Sequence, residues 1–544
     1  MSKKTEETIA YIQELKQEAE DATRDRRNAA DELWNLYQNK QDYSKKKSWQ
    51  SKVFVPKVFM AVEQATSIVK RAVISPRKLF KLEAKDPKDI EAKKARKEVE
   101  RIFKRALSNS NFAIAYAEVI KEAFLVGLGV PKVLWENGLK YVNSSTSKTY
   151  IDPDYQQGDV SPKYVIEEKE MDLATLKLMA KKINADSDKN IYNMAEINKI
   201  QEDQRDIEHE MEERKRRGIS DHNKTDKRVL ITEFWGDIVD KNTNKIKENQ
   251  LVLIANEKYI IRQQDNPFEH GFNPYVPTTP ISYPHRGAWG VSLVEPVAKM
   301  QYAYNNIINL SLDNLNFSVN KMFEYQPSML VNPRSMTQVY PGKMVAKSTQ
   351  GRAIEEIRTS GVGQDSFVTM DLLQGEIQKG TAVTEFLMGT SGKSKTATEA
   401  ELKTAQAQGL FDTIARDIEA TSLTKIIEMS FDLLIQFEVI PEQYRGRYKF
   451  SVGGLSLLLV RREQTERMQQ VLAMALQNET LASLTNIPEL WTKYLSILNL
   501  DDIIAETPRG PTPEQRDKMG ERAREEAKKK VAGMSEDEIR NYRG

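Results

Sequence analysis

The sequence contains no cysteine in 544 residues and only four histidines. The first absence excludes disulfides, cysteine-ligated zinc, iron–sulfur clusters and thiol nucleophiles together, and points to assembly in a reducing cytoplasm. The histidines, His209, His222, His270 and His285, are scattered, with no second histidine at ligand spacing. Long apolar runs are missing as well. No segment approaches the roughly 20 apolar residues that span a bilayer, and Met1 to Glu20 is charged throughout, without the apolar stretch of a signal peptide. Neither signal-directed secretion nor an integral membrane protein is expected. An excess of one charge is also absent: Lys and Arg number 81 against 79 Asp and Glu, a net +2. That excludes a generally basic coat for nucleic acid and leaves only local patches for such contact.

Catalytic signatures are lacking too. Gly389-Thr390-Ser391-Gly392-Lys393-Ser394 invites a phosphate-loop reading, but the glycine such a loop needs five positions before Gly392 is replaced by Leu387. His209-Glu210 is followed by Met211, Glu212 and Glu213, so the two-histidine zinc pattern is not present. Asp186-Ser187-Asp188-Lys189-Asn190 begins like a calcium loop, then has Ile191 where glycine is needed and Ile197 where the closing Glu is needed. Asp152-Pro153-Asp154 has no ligand partners nearby and reads as a turn. No enzyme, cofactor or metal is expected.

What is there is architecture. The length allows about three or four domains. Residues 1–45 read as a charged helical arm, followed by Lys45-Lys46-Lys47 and the extended stretch Val53-Phe54-Val55-Pro56. Helices are expected from about Ala61 to Ile74 and Asp89 to Ser108, with a third reaching Leu125. A strand follows at Lys132 to Glu136. Residues 174–217 have a charged helical composition. Strands are expected at Val229 to Phe234 and Leu251 to Ile261, before a rigid connector carrying Pro267, Pro274, Pro277, Pro280 and Pro284.

Two segments carry most information. From Ser292 to Met322 a long helix has apolar or small residues near 3-4 spacing at Val297, Gln301, Tyr304, Ile308, Leu312, Leu315, Val319 and Met322. Its other faces hold almost no charge: Asp313 stands alone between Met300 and Asn320, where the chain average gives about six, and Asn dominates. Such a helix is packed between copies of itself, faces a water-filled space, or lies buried in one large domain. The second segment, Phe367 to Met388, is an acidic helix that breaks at Met388 to Lys395. A new helix then starts at a capping box, Thr396 with Glu399 or Thr398 with Glu401, and runs to Phe437 with Gly409 as its bend. Between the two segments, Glu324 to Gly363 is turn-rich and reads as a small β-containing module. After Pro441, Tyr448 to Val452 is a strand candidate, and Arg461 onward is mostly helical.

The segments Val53-Phe54-Val55-Pro56, Leu125-Val126-Gly127-Leu128-Gly129-Val130, Gly290-Val291-Ser292-Leu293-Val294-Glu295-Pro296 with Gln301 and Asn305, and Met388-Gly389 leading into Thr396-Ala397-Thr398-Glu399-Ala400 resemble the portal proteins of tailed bacteriophages. The resemblance spans about residues 30 to 460. It implies an α+β, mainly helical fold with wing, stem, clip, tunnel-loop and crown regions, assembled as a ring of usually twelve copies at one capsid vertex. The implied division is an N-terminal arm 1–45, wing 46–290, first stem helix 291–323, clip 324–363, second stem helix 364–388, tunnel loop 389–395, a long helix returning to the wing 396–460, and a helical crown and tail 461–544.

The implied function is a conduit for genome packaging and ejection. Its partners would be double-stranded DNA bound without sequence preference, the large terminase subunit, tail adaptor proteins and the major capsid protein, with no membrane. Thr390, Ser391, Gly392, Lys393 and Lys395 would be the tunnel loop. Asn305, Asn309, Asn316, Asn320, Asp371 and Glu376 would line or pack the stem, and Arg334, Lys343, Lys347 and Arg352 would face partners at the clip. The main alternative is another phage structural component, a scaffold or tail adaptor without a DNA channel; those are shorter or more uniformly helical.

Overall fold

A computed structural model describes residues 3–74, 79–185, 190–200, 228–239, 245–320, most of 322–357, 363–383 and 409–452, and beyond these only 468–471, 473 and 491, all helical. The chain divides into two units, residues 1–455 and 456–544. The elements below belong to the first.

In chain order they are α1 (Lys3–Tyr37), α2 (Lys57–Val73), β1 (Phe80–Ala84), α3 (Ile90–Asn109), α4 (Phe112–Val126), β2 (Val130–Trp135) and β3 (Leu139–Ser144). Next come β4 (Thr149–Ile151), β5 (Tyr164–Asp172), α5 (Leu173–Ala185), α6 (Met194–Lys199), β6 (Arg228–Val239), β7 (Ile246–Ala255) and β8 (Tyr259–Asp265). The last are α7 (Ala298–Val319), β9 (Phe323–Tyr325), β10 (Ile354–Glu356), α8 (Gln364–Thr381), α9 (residues 409–418), α10 (Thr424–Gln436) and β11 (Tyr448–Val452). The fold is α+β.

Strands β4 to β8 form one antiparallel sheet in sequence order. Both alternations along these strands are rich in apolar residues, as a sheet covered on both faces requires. Tyr164, Ile166, Phe234, Val252 and Ile254 point to one face and pack under Ile9, Ile12 and Ala19 of α1. Val229, Ile231, Leu253 and Ala255 point to the other and meet Leu173, Leu176 and Ile197 of α5 and α6. A second core joins α2, α3, α4 and α10 with the two-stranded pair β1–β11. Phe103 is its hinge pin, with ring centroids 4.5 Å from Phe80 and 5.6 Å from Phe431.

The expected strand from Leu251 to Ile261 is two strands. Asn256 and Glu257 adopt positive φ of 48° and 55°, and the tight turn they form folds β8 back on β7. The expected 174–217 helix is α5 and α6 separated by a break, with residues 201–227 outside the described ones. The second long helix ends at Thr381, not Met388, because Ala382 takes a left-handed conformation (φ 53°) as its C-cap. Gly409 opens the described part of the last long helix, and the irregularity found there lies farther on, a π turn at Glu419–Leu423. Asp152-Pro153-Asp154 is a turn, with Asp152 accepting from the Asp154 N–H at 3.0 Å.

Two of the sequence segments quoted above, around Gly127 and Gly290, lie against each other. The Gly290 N–H donates to Gly127 O at 3.0 Å, the Leu293 N–H donates to Phe124 O at 2.9 Å, and the Ser292 hydroxyl donates to Leu125 O at 2.6 Å. A Cβ on Gly127 would sit 2.7 Å from Gly290 O, and Gly127 has φ +88°, so both space and backbone demand glycine. Ser292 Oγ also accepts from the N–H groups of Val294 and Glu295, capping the turn that leads into α7.

Candidate functional site

Gln301, Asn305, Asn309 and Asp313 form a buried stripe on α7, each four residues from the next. Four helical residues advance about 6 Å and two extended residues about 6.6 Å. A side chain at every fourth position of a helix can therefore meet every second residue of an extended chain laid beside it. Residues 51–55 are that chain, and a fourth rung reaches Val58 in the first turn of α2. The N–H of Ser51 donates to Asp313 Oδ1 (2.6 Å), that of Val53 to Asn309 Oδ1 (2.7 Å), that of Val55 to Asn305 Oδ1 (3.1 Å) and that of Val58 to Gln301 Oε1 (3.3 Å). The amide groups answer: Asn309 Nδ2 donates to Val53 O at 2.9 Å and Gln301 Nε2 to Val55 O at 2.8 Å. The strap between α1 and α2 is thus fastened along α7 mainly through its backbone, with Gln41 adding side-chain bonds to Asn305 and Asn306.

Helix α8 packs on the same helix. Val297, Tyr304 and Ile377 are the buried centre, with Val55, Met300, Ile308, Met370 and Leu373 around them. Lys57 Nζ and the Tyr304 hydroxyl both donate to Gln374 Oε1, at 3.0 and 3.4 Å. Burial and the nearby Asp371 carboxylate raise the Tyr304 phenol above its ordinary value. Farther along, the hairpin's apolar residues face outward. Leu310, Leu315 and Val319 on α7, and Phe367, Val368 and Leu372 on α8, are each more than half exposed. Of the residues at 3-4 spacing along this helix, Val297, Gln301 and Tyr304 are buried. The buried face then passes to Asn305, Asn309 and Asp313, leaving Leu315, Val319 and Met322 exposed.

Of the stem residues singled out in the sequence, Asn305 and Asn309 lie within the ladder, while Asn316, Asn320 and Asp371 are exposed. Glu376 is half-buried and pairs with Lys379 at 2.7 Å. The module between α7 and α8 contains the antiparallel pair β9–β10, and Arg334, Lys347 and Arg352 are exposed on it. Lys347 Nζ donates to Gly351 O at 2.7 Å. Lys343 lies outside the described residues, as do Thr390, Ser391, Gly392, Lys393 and Lys395 and both capping boxes.

One buried cluster escaped the sequence reading. Glu167 and Glu233 stand directly opposite each other on β5 and β6. Lys132 of β2, itself buried, donates to Glu167 Oε2 at 3.1 Å and to Glu233 Oε1 at 2.6 Å. Lys169 pairs with Glu167 at 2.6 Å, the Tyr275 hydroxyl donates to Glu167 Oε2 at 2.6 Å, and Trp235 Nε1 donates to Glu233 Oε1 at 2.6 Å. Burial alone would raise Glu167, but the charges of Lys132 and Lys169 and their hydrogen bonds outweigh it and hold the carboxyl at about 2. The cluster ties the β2–β3 hairpin and the proline-rich connector to the sheet, and its charged groups are paired with one another.

Among the described residues, no group of three or more His, Asp or Glu could hold a metal ion, and no helix is long and apolar enough to cross a membrane. The distinctive feature is a helical hairpin strapped to an α+β body, with apolar surface left outward at its far end. The chain belongs to the tailed-phage portal proteins: residues 143–452, more than half of it, match the family described as phage SU10 portal protein. The matched span leaves α1 to α4 and most of the β2–β3 hairpin outside it. A comparison with curated proteins finds no match.

Proposed function

We propose that this portal protein forms the ring-shaped DNA channel at one capsid vertex, through which the genome enters during packaging and leaves during ejection. The observation that carries this reading is the outward apolar surface of the α7–α8 hairpin. Six large apolar side chains more than half exposed, on a hairpin with no membrane-spanning helix, call for cover, and a ring supplies it by setting each hairpin against the next copy. In this reading α7 and α8 are the two stem helices, the β9–β10 module is the clip, and residues 46–290 are the wing. Residues 389–395 are the tunnel loop and 461–544 the crown and tail.

The electrostatics support it. Each phosphate neutralised by a channel wall adds salt-dependent affinity, and affinity is friction to a moving duplex. From Met300 to Asn320 the chain offers no cation. Lys393 and Lys395, repeated around the ring, would touch phosphates weakly and without reading sequence. Arg334, Lys347 and Arg352 on the clip face the terminase motor and then the tail adaptor. Native mass spectrometry tests the reading: a closed ring near twelve times 62.3 kDa is expected, and only monomer or dimer at micromolar concentration would overturn it.

A further inference from the structure

Helix α3 carries seven Lys and Arg against three Glu, and their placement is not mixed. Ala92, Val99, Phe103 and Leu107 are its buried face. Lys93, Lys97, Arg101 and Arg105 recur at every fourth residue, all exposed, on the side about 145° away at 100° per residue. Lys94 and Lys104 fall within the same sector. The acids fall at its edges and are occupied: Glu91 pairs with Arg447 at 2.9 Å, Glu100 with Lys104, and Glu98 reaches Arg101 at 4.0 Å. Among the described residues no ion pair reaches Lys93, Lys94, Lys97 or Arg105. The exposed Lys85 and Lys88 extend the basic surface just before the helix.

This arrangement works against the helix itself. Like charges four residues apart repel, and the stripe contains three such pairs in succession. Lys93 and Lys94 also stand near the N-terminal end, where the helix dipole disfavours cations. The start of the helix is already secured by Asp89, which accepts from the Ala92 N–H at 2.9 Å, and by Arg447, which pairs with Asp89 at 2.7 Å. The lysines contribute nothing to that cap.

We infer that the Lys93–Lys97–Arg101–Arg105 face of α3 is a docking surface for the sugar-phosphate backbone of duplex DNA. The four cations span about 18 Å of helix axis, matching an extended line of negative charge, and they bind without sequence readout. The choice of DNA rests on the conduit reading above. The contrast with α7 gives the surface a separate role: α7 withholds cations where DNA slides, and α3 gathers them where DNA is held.

The test is binding of the full chain to a short mixed-sequence duplex by fluorescence anisotropy at several salt concentrations. The variant combines Lys93→Gln, Lys97→Gln, Arg101→Gln and Arg105→Gln. A control combines Lys177→Gln, Lys181→Gln, Lys182→Gln and Lys199→Gln on α5 and α6, with the same loss of charge. Four phosphate contacts contribute about 3 to 4 to the slope of log affinity against log salt. The α3 variant is expected to lose that slope and to bind at least tenfold more weakly at about 50 mM salt, with its melting temperature unchanged or raised as repulsion is relieved. The control is expected to keep both slope and affinity. An unchanged slope in the α3 variant, or an equal loss in the control, overturns the inference. An α3 variant that retains DNA but loses binding to an acidic protein partner would also overturn it. Ring mass is read separately, so failure of the conduit reading leaves this result interpretable.

Discussion

Asn309 bonds both backbone groups of one residue, Val53, accepting from its N–H at 2.7 Å and donating to its carbonyl at 2.9 Å. The carboxamide does for the strap what an adjacent strand does in a sheet. The Asn309 side chain is itself held, because Nδ2 also reaches Asn305 O at 2.8 Å one turn back.

Asn309→Ala removes both bonds and leaves the Val53 N–H in need of a partner, while the carbonyl keeps the Tyr43 hydroxyl at 3.0 Å. We expect a loss of about 1–3 kcal/mol in urea denaturation, with faster hydrogen exchange at the Val53 amide. Asn306→Ala, on the exposed side of the same turn, is expected to change stability by less than about 0.5 kcal/mol. Equal losses would show that the strap is held by something other than the ladder.

Lys132→Met leaves Glu167 and Glu233 facing each other across β5 and β6, with only the more exposed Lys169 to offset them. A cost of about 3–5 kcal/mol is expected. The pH dependence follows from the same cluster. Glu167 is held at about 2, below its ordinary 4.5, so its contribution is complete above about pH 4.5 and is lost as pH falls toward 2. Wild type should lose stability across that window in acid titrations followed by circular dichroism. Glu167→Gln should be less stable at neutral pH but flatter through the window; an equally steep profile would assign the acid sensitivity elsewhere.

Leu315→Glu combined with Val319→Glu places charge on the outward apolar surface of α7, where both side chains are more than half exposed. The subunit itself should melt within about 1 kcal/mol of wild type, because exposed substitutions cost little. Rings should be absent from native mass spectra of the double variant. Intact rings would mean that this surface does not face a neighbouring copy.

Much of the fold could be read from local pattern. The 3-4 spacing of Val297, Gln301 and Tyr304 marked α7, the proline and turn residues after Glu324 marked the short module, and Tyr448 to Val452 is the strand expected there. Features that join distant parts of the chain were not legible. The Asn excess on α7 was visible, but the partner of Asn305 lies 250 residues earlier, and an extended segment such as Val53 to Pro56 does not announce what it lies against. Lys132 sits in a short apolar strand, and its carboxylates follow 35 and 101 residues later. The acidic helix was read through to Met388 because nothing in its composition warns that Ala382 will adopt a left-handed cap. The basic face of α3 was hidden by its own acids, which interleave with the cations in sequence and separate from them only on the helix surface.

The strap has a mechanical consequence. It runs antiparallel to α7, with Ser51 at the Asp313 end and Val58 at the Gln301 end, and its rungs lie across the helix axis. A pull along that axis, as a moving duplex would exert on a channel wall, loads the rungs together in shear; they cannot be peeled one at a time. Force applied to α7 is thereby shared with the N-terminal helix on the sheet and with α2 in the main core, so the hairpin is anchored against a pull along its own axis.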